Sequence, residues 1–266
     1  MTFDIRADDV LKELGTRLDD ISGVRTAFVG GSLVEGFGNA TSDVDLLVLV
    51  DEDVAPESLP LDRSNDFVIF GDHRIWVSEI RGQRLDIEFR RIEDFEQVKR
   101  RLVDPSAPKD FNRGWLEFFH HLRIGIPVVR PEEFEGARDG FPWPVLGRVL
   151  VEHFEYDANS SLDDAAGAIT AQDTGTALLA SRATLGAAVE ALLASVGSTN
   201  PRVKWRFRKL RQFRQLDLLD RYLHLEVDTS SDDADLLARA RERVTFAQDL
   251  LLEAQANLFR LESVRE

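Results

Sequence analysis

Residues 29–45, VGGSLVEGFGNATSDVD, hold the densest chemistry in the chain. Asp43 and Asp45 flank a valine at the start of the apolar run DVDLLVLV, and in an extended strand alternate side chains share a face. Two carboxylates set side by side repel unless a cation neutralises them, which serves a divalent-metal site and gives a surface strand nothing. Gly30 ends the preceding run VRTAFVG and Gly31 and Ser32 follow it, where a strand turns into a short helix. Backbone N–H groups and the serine hydroxyl at such a turn suit phosphate oxygens. Further on, LDIEF places Asp86 and Glu88 on one face of a later strand, and a carboxylate from there could complete a two-metal site. The chemistry such a set serves is phosphoryl or nucleotidyl transfer. Two Mg2+ ions are the expected cofactor, one on the triphosphate and one lowering the pKa of the attacking hydroxyl.

The elements that must position these residues follow from hydrophobic period. Residues 8–20 read as an opening helix, acidic in its first turn, with Val10, Leu11, Leu14 and Leu18 on one face. VRTAFVG and DVDLLVLV read as strands, the second apolar enough for the middle of a sheet. HRIWVSEI and QRLDIEFRRI, separated by Arg81 and Gly82, read as a hairpin. Helices follow over 93–103 and 110–123, the latter ending in the turn GIP. Near Pro142 and Pro144 the character changes, and four helical stretches come after, with expected breaks at DANSS, GSTNPR and DTSSDD. The expected fold is α+β: a mixed sheet with flanking helices over 1–141, then a helical bundle over 142–266.

Composition limits the rest. The 266 residues are 43% hydrophobic, enough for one large or two modest cores. There is no cysteine, so disulfides, thiolate metal sites and cysteine nucleophiles are excluded. The N-terminus is acidic and amphipathic rather than signal-like, and no apolar stretch reads as long enough to span a bilayer, so a cytoplasmic protein with no membrane partner is the expectation. A net charge of −15 disfavours broad attraction to nucleic acid or anionic lipid.

G-G-S followed about ten residues later by D-x-D on a strand, then an acidic residue on a later strand, resembles the nucleotidyltransferase superfamily typified by DNA polymerase beta. The matching residues are Gly31, Ser32, Asp43, Asp45 and Asp86, within 24–92. The resemblance favours Asp86 over Glu88 as third metal ligand, because the superfamily offers aspartate between apolar neighbours, here Leu85 and Ile87. The plan of a small core followed by a helical bundle resembles the antibiotic-modifying nucleotidyltransferases more than template-directed polymerases. It implies transfer of a nucleoside monophosphate, AMP from ATP first, to a hydroxyl of a small molecule, with release of pyrophosphate. The alternatives are transfer to a protein or tRNA, synthesis of a second messenger, or a non-catalytic nucleotide-binding or antitoxin-like role.

The stretch NPRVKWRFRKLRQFR is basic within an acidic chain. With Trp205, Phe207, Leu210 and Phe213 on a packing face, Lys204, Arg208 and Arg211 form a neighbouring stripe at helical spacing. A solvated face is the ordinary reading of such a run. The resemblance raises a second one, with Lys204 and Arg208 on the triphosphate. His120 and His121 lack a partner at metal-binding spacing and read as packing or surface residues. Glu152 is a candidate base from the helical half by resemblance to the antibiotic-modifying nucleotidyltransferases, its ordinary reading being an exposed glutamate on an amphipathic helix.

Overall fold

The structure, a computed structural model, describes residues 4–6, 8–19, 21–52, 66–70, 73–227 and 232–263. The chain divides into two compact units, Met1–Pro142 and Trp143–Glu266. The fold is α+β, with the whole sheet in the first unit and helices alone among the described elements of the second.

The first unit runs α1 (Asp8–Asp19), β1 (Val24–Gly30), α2 (Gly31–Glu35), β2 (Val44–Val50), β3 (Asp66–Phe70), β4 (His73–Ile80), β5 (Gln83–Arg91), α3 (Ile92–Val103), α4 (Arg113–Ile124), β6 (Ile126–Val129) and α5 (Pro131–Asp139). The sheet order is β3-β4-β5-β2-β1-β6. β2 lies between β1, antiparallel to it, and β5, which runs parallel. The near-continuous apolar run of β2 reflects cover on both sides.

The two faces of β2 meet different layers. Val44, Leu46, Val48 and Val50 belong to an aliphatic cluster with Val10, Leu14 and Leu18 of α1. The other face carries Asp45, Leu47 and Leu49, and neighbours Phe28 of β1, whose ring meets Phe118 of α4 and Phe134 of α5. Phe95 of α3 joins this aromatic layer through Phe118 and Phe119. Aliphatic packing therefore fixes one side of the sheet and aromatic packing most of the other.

Three expectations need correction in detail. The helix over 110–123 does not end in a free GIP turn: Ile126–Val129 forms an edge strand, where Pro127, which has no N–H to offer, is tolerated. Helix α6 (Trp143–Ala171) runs through DANSS without a break, because Ala158 is buried while Asp157, Asn159 and Ser160 face solvent. The polar cluster is an exposed helix face. The break comes at Gln172, in the left-handed region, with Asp173 capping α7 (Thr174–Ser195) by accepting from the Thr176 N–H at 3.2 Å. The third helical stretch is also divided, into a 3-10 turn over Val203–Trp205, α8 (Arg206–Gln212) and α9 (Leu216–Glu226). Arg214, with φ of 57°, turns the chain there, and the Gln215 N–H returns to the Leu210 carbonyl at 2.9 Å. Helix α10 (Asp233–Ser263) closes the second unit, and the expected break at DTSSDD falls largely outside the described residues.

Helix α7 also corrects the expectation about apolar stretches. By length and composition it could cross a membrane, yet 67% of its apolar window is buried against its neighbours, as befits the central helix of a bundle. Its one deeply buried acid, Glu190, is neutralised from α8 by Lys209 Nζ and, at 3.0 Å, by Arg206 Nε. Lys209 also donates to the Asn200 carbonyl at 2.9 Å, and Arg206 to the Tyr222 hydroxyl at 2.7 Å.

Candidate active site

The turn from β1 into α2 is built on two glycines with different reasons. Gly31 has φ of +75°, and a side-chain carbon there would stand 1.7 Å from Asp45 Oδ2. Gly30 has ordinary strand geometry, but a side-chain carbon would meet His121 of α4 at 2.7 Å. The turn is thus wedged between the Asp45 carboxylate and α4. Ser32, half-buried, lies in α2, and its carbonyl accepts from the Phe37 and Gly38 N–H groups, both at 2.8 Å. Gly36, left-handed, ends the helix.

The loop back to β2 is shaped by Asn39. Its side-chain oxygen accepts from the Thr41 N–H at 2.9 Å and its own N–H donates to Ser42 Oγ at 2.9 Å, a local alternative to helix or strand pairing. Gln83 at the start of β5 donates to the Ser42 carbonyl, tying the loop to the strand that carries the third carboxylate.

Strand register then sets the acidic face. Asp45 lies opposite Gly30 on one side and Asp86 on the other, and Asp43 precedes it by two residues. Glu88 falls opposite Leu47, one pleat further along β5. It receives Arg90 Nε at 2.5 Å, while the buried Arg90 stacks 4.0 Å above the Trp115 ring and donates to the Gly114 carbonyl at 3.1 Å. Register therefore separates the two acids of LDIEF: Asp86 stands beside Asp45, and Glu88 is committed to a buried guanidinium. Asp43, Asp45 and Asp86 are each half-buried.

One cation at this face was missed in the sequence. Arg84, two residues before Asp86 and on the same side of β5, donates from Nε to Asp86 Oδ1 at 2.6 Å and from Nη2 to Oδ2 at 2.9 Å. Its pKa is raised, chiefly by that hydrogen bond; burial opposes the shift, and attraction to Asp86, Asp43 and Asp45 adds to it. The i, i+2 spacing of an arginine and an aspartate on a strand is the signal that could have found it. Among the described residues, no three carboxylate or imidazole groups converge as a metal-coordinating set.

The remaining candidates lie elsewhere in the fold. His120 is buried and its Nε2 stands 3.3 Å from Glu35 at the end of α2, so it packs behind the glycine turn. In the second unit, Lys204 and Arg208 are exposed, with Lys204 Nζ 5.0 Å above the Trp205 ring. Lys209, from the same basic run, is wholly buried and belongs to the Glu190 network. Glu152 is exposed, whereas burial raises the pKa of its neighbour Glu155, with a hydrogen bond from Gln255 opposing the shift.

Residues 11–107 match the family model of the nucleotidyltransferase domain, a span that includes Gly31, Ser32, all three aspartates and Arg84. No curated protein matches the chain. Among solved structures, a nucleotidyltransferase-like protein from Exiguobacterium sibiricum 255-15 is similar over 97% of this chain and 78% of that one, with 14% identity and a TM-score of 0.47.

Proposed function

We propose, from the nucleotidyltransferase domain matched at residues 11–107, that the protein transfers a nucleoside monophosphate from a nucleoside triphosphate to a hydroxyl of a small molecule. ATP is the first candidate donor, and pyrophosphate is the second product. The observation that carries this reading is the register that sets Asp45 between the Gly30–Gly31 turn and Asp86.

Asp45 and Asp86 on paired strands, with Asp43 just before β2, are hard oxygen donors of the kind that suits Mg2+ rather than softer metals, although their carboxylates do not converge as a coordinating set as they stand. Bound there, Mg2+ would supply charge neutralisation and polarisation of phosphoryl oxygens. The protein's own part is positioning. Gly31 and Ser32 would cradle the phosphates, at a turn where a residue larger than glycine would collide with Asp45. Asp86 would accept the hydroxyl proton as the acceptor oxygen bonds to the α-phosphorus and the bond to the leaving pyrophosphate breaks. Lys204 and Arg208 are exposed cations suited to the distal phosphates. The small-molecule acceptor rests on the plan of a short catalytic unit followed by a helical one.

The test incubates the purified protein with each labelled nucleoside triphosphate, Mg2+ and a panel of hydroxyl acceptors. Pyrophosphate release with a labelled acceptor, lost in Asp45→Asn, supports the reading. Nucleotide binding without turnover on any acceptor class would replace it with a non-catalytic role.

A further inference from the structure

Three carboxylates on neighbouring strands are costly without a positive charge among them. Arg84 supplies one from within the chain. Its guanidinium engages both oxygens of Asp86, at 2.6 and 2.9 Å, and its charge is also felt by Asp43 and Asp45. Its side chain is 59% exposed while that of Asp86 is 17% exposed, so the arginine reaches in from the rim. The other acid of the strand, Glu88, has its own partner in Arg90 and does not share Arg84.

We propose that Arg84 is a built-in counterion that holds the acidic face when no divalent cation is present and competes with a divalent cation for Asp86. This deepens the metal-dependent reading above and rests on it. The planar fork takes a lone pair on each Asp86 oxygen and adds a positive charge beside it, so a cation approaching Asp86 binds against that charge. Cation affinity is thereby lowered and the metal-free fold is relieved of carboxylate repulsion. The released guanidinium stays at the rim, where a polyanionic substrate arriving with its own cation gives it a new partner. The arginine thus favours loading by the cation–nucleotide complex over loading by the free ion.

The experiment measures Mn2+ binding calorimetrically to the full chain without nucleotide, for wild type, Arg84→Gln, Arg84→Lys and Asp86→Asn, beside melting temperatures with and without Mn2+. Arg84→Gln should bind Mn2+ about three- to tenfold more tightly. Arg84→Lys should fall between it and wild type, because an ammonium keeps the charge and loses the fork. Arg84→Gln should also melt lower than wild type without metal and at the same temperature when saturated. An Arg84→Gln affinity equal to or weaker than wild type, or a melting loss equal with and without Mn2+, would overturn the proposal while leaving the metal site standing. Absence of Mn2+ binding in wild type and both Arg84 variants would remove the metal site itself, and this inference with it. Should Arg84→Gln fail to fold, Arg84→Lys decides: tighter than wild type supports the competition, and an unchanged or weaker affinity rejects it.

Discussion

At Gly31 the backbone and the carboxylate beside it share one space. Gly31→Ala must push away Asp45 Oδ2, which would lie 1.7 Å from the new carbon, and also hold alanine at φ of +75°. We expect it to cost about 1–3 kcal/mol of stability and, through displacement of Asp45, to slow transfer about a hundredfold. Denaturant titration and pyrophosphate release measure the two effects. Asp43→Asn and Asp45→Asn separate them differently. Each should abolish transfer and leave the metal-free melting temperature unchanged or raised, because one like charge has gone. Near-normal turnover in either would contradict their role. For the acids of β5, Asp86→Asn should be severe for activity, whereas Glu88→Ala should spare activity and cost about 1–3 kcal/mol by stripping buried Arg90 of a charged partner. The alternation that put Asp43 with Asp45, and Asp86 with Glu88, was legible in the sequence. Which of the second pair stands beside Asp45 was not legible from alternation, because pairing register belongs to two strands at once; the resemblance favoured Asp86, and the register sets Asp86 there.

Among elements, those with a clean period were legible: α1, β1, β2 and the β4–β5 hairpin. Misreadings came where one signal had two physical meanings. Asp, Asn and Ser at 157–161 resemble a helix break and are instead the wet side of α6. Pro127 resembles a turn and sits in an edge strand. In the basic run of α8, spacing alone does not reveal that Lys209 meets an acid from another helix. Lys209→Met should cost about 3–5 kcal/mol, since Glu190 loses a cation inside the bundle. Exposed Lys204→Ala should leave the melting temperature near wild type and, if it serves the triphosphate, weaken ATP binding more than AMP binding. Equal effects on both nucleotides would return it to a solvated face. Glu155 gives α6 a pH signature. Its folded pKa is raised by burial, so its contribution to stability is fully present below the unfolded carboxylate pKa and is lost as pH rises through the folded value. Glu155→Gln should therefore melt higher than wild type at neutral pH, and a pH series should show the difference closing as pH falls towards 4.

The whole molecule is two compact units joined at Pro142 and Trp143, with a net charge of −15. Each unit has its own core, the first around the sheet and the second around α7, so residues 1–142 and 143–266 made separately should each unfold cooperatively, as circular dichroism melting will show. Within the first unit, β2 and β5 run parallel, and parallel neighbours cannot be joined by a tight turn. The chain between them must leave, form the β3–β4 pairing and return before Asp86 can come alongside Asp45. That return is a long-range closure, the slow kind of step in folding kinetics. During synthesis, β1, the glycine turn and β2 emerge before β5 and can form an antiparallel pair, but Asp86 cannot join Asp45 until β5 has left the ribosome and docked.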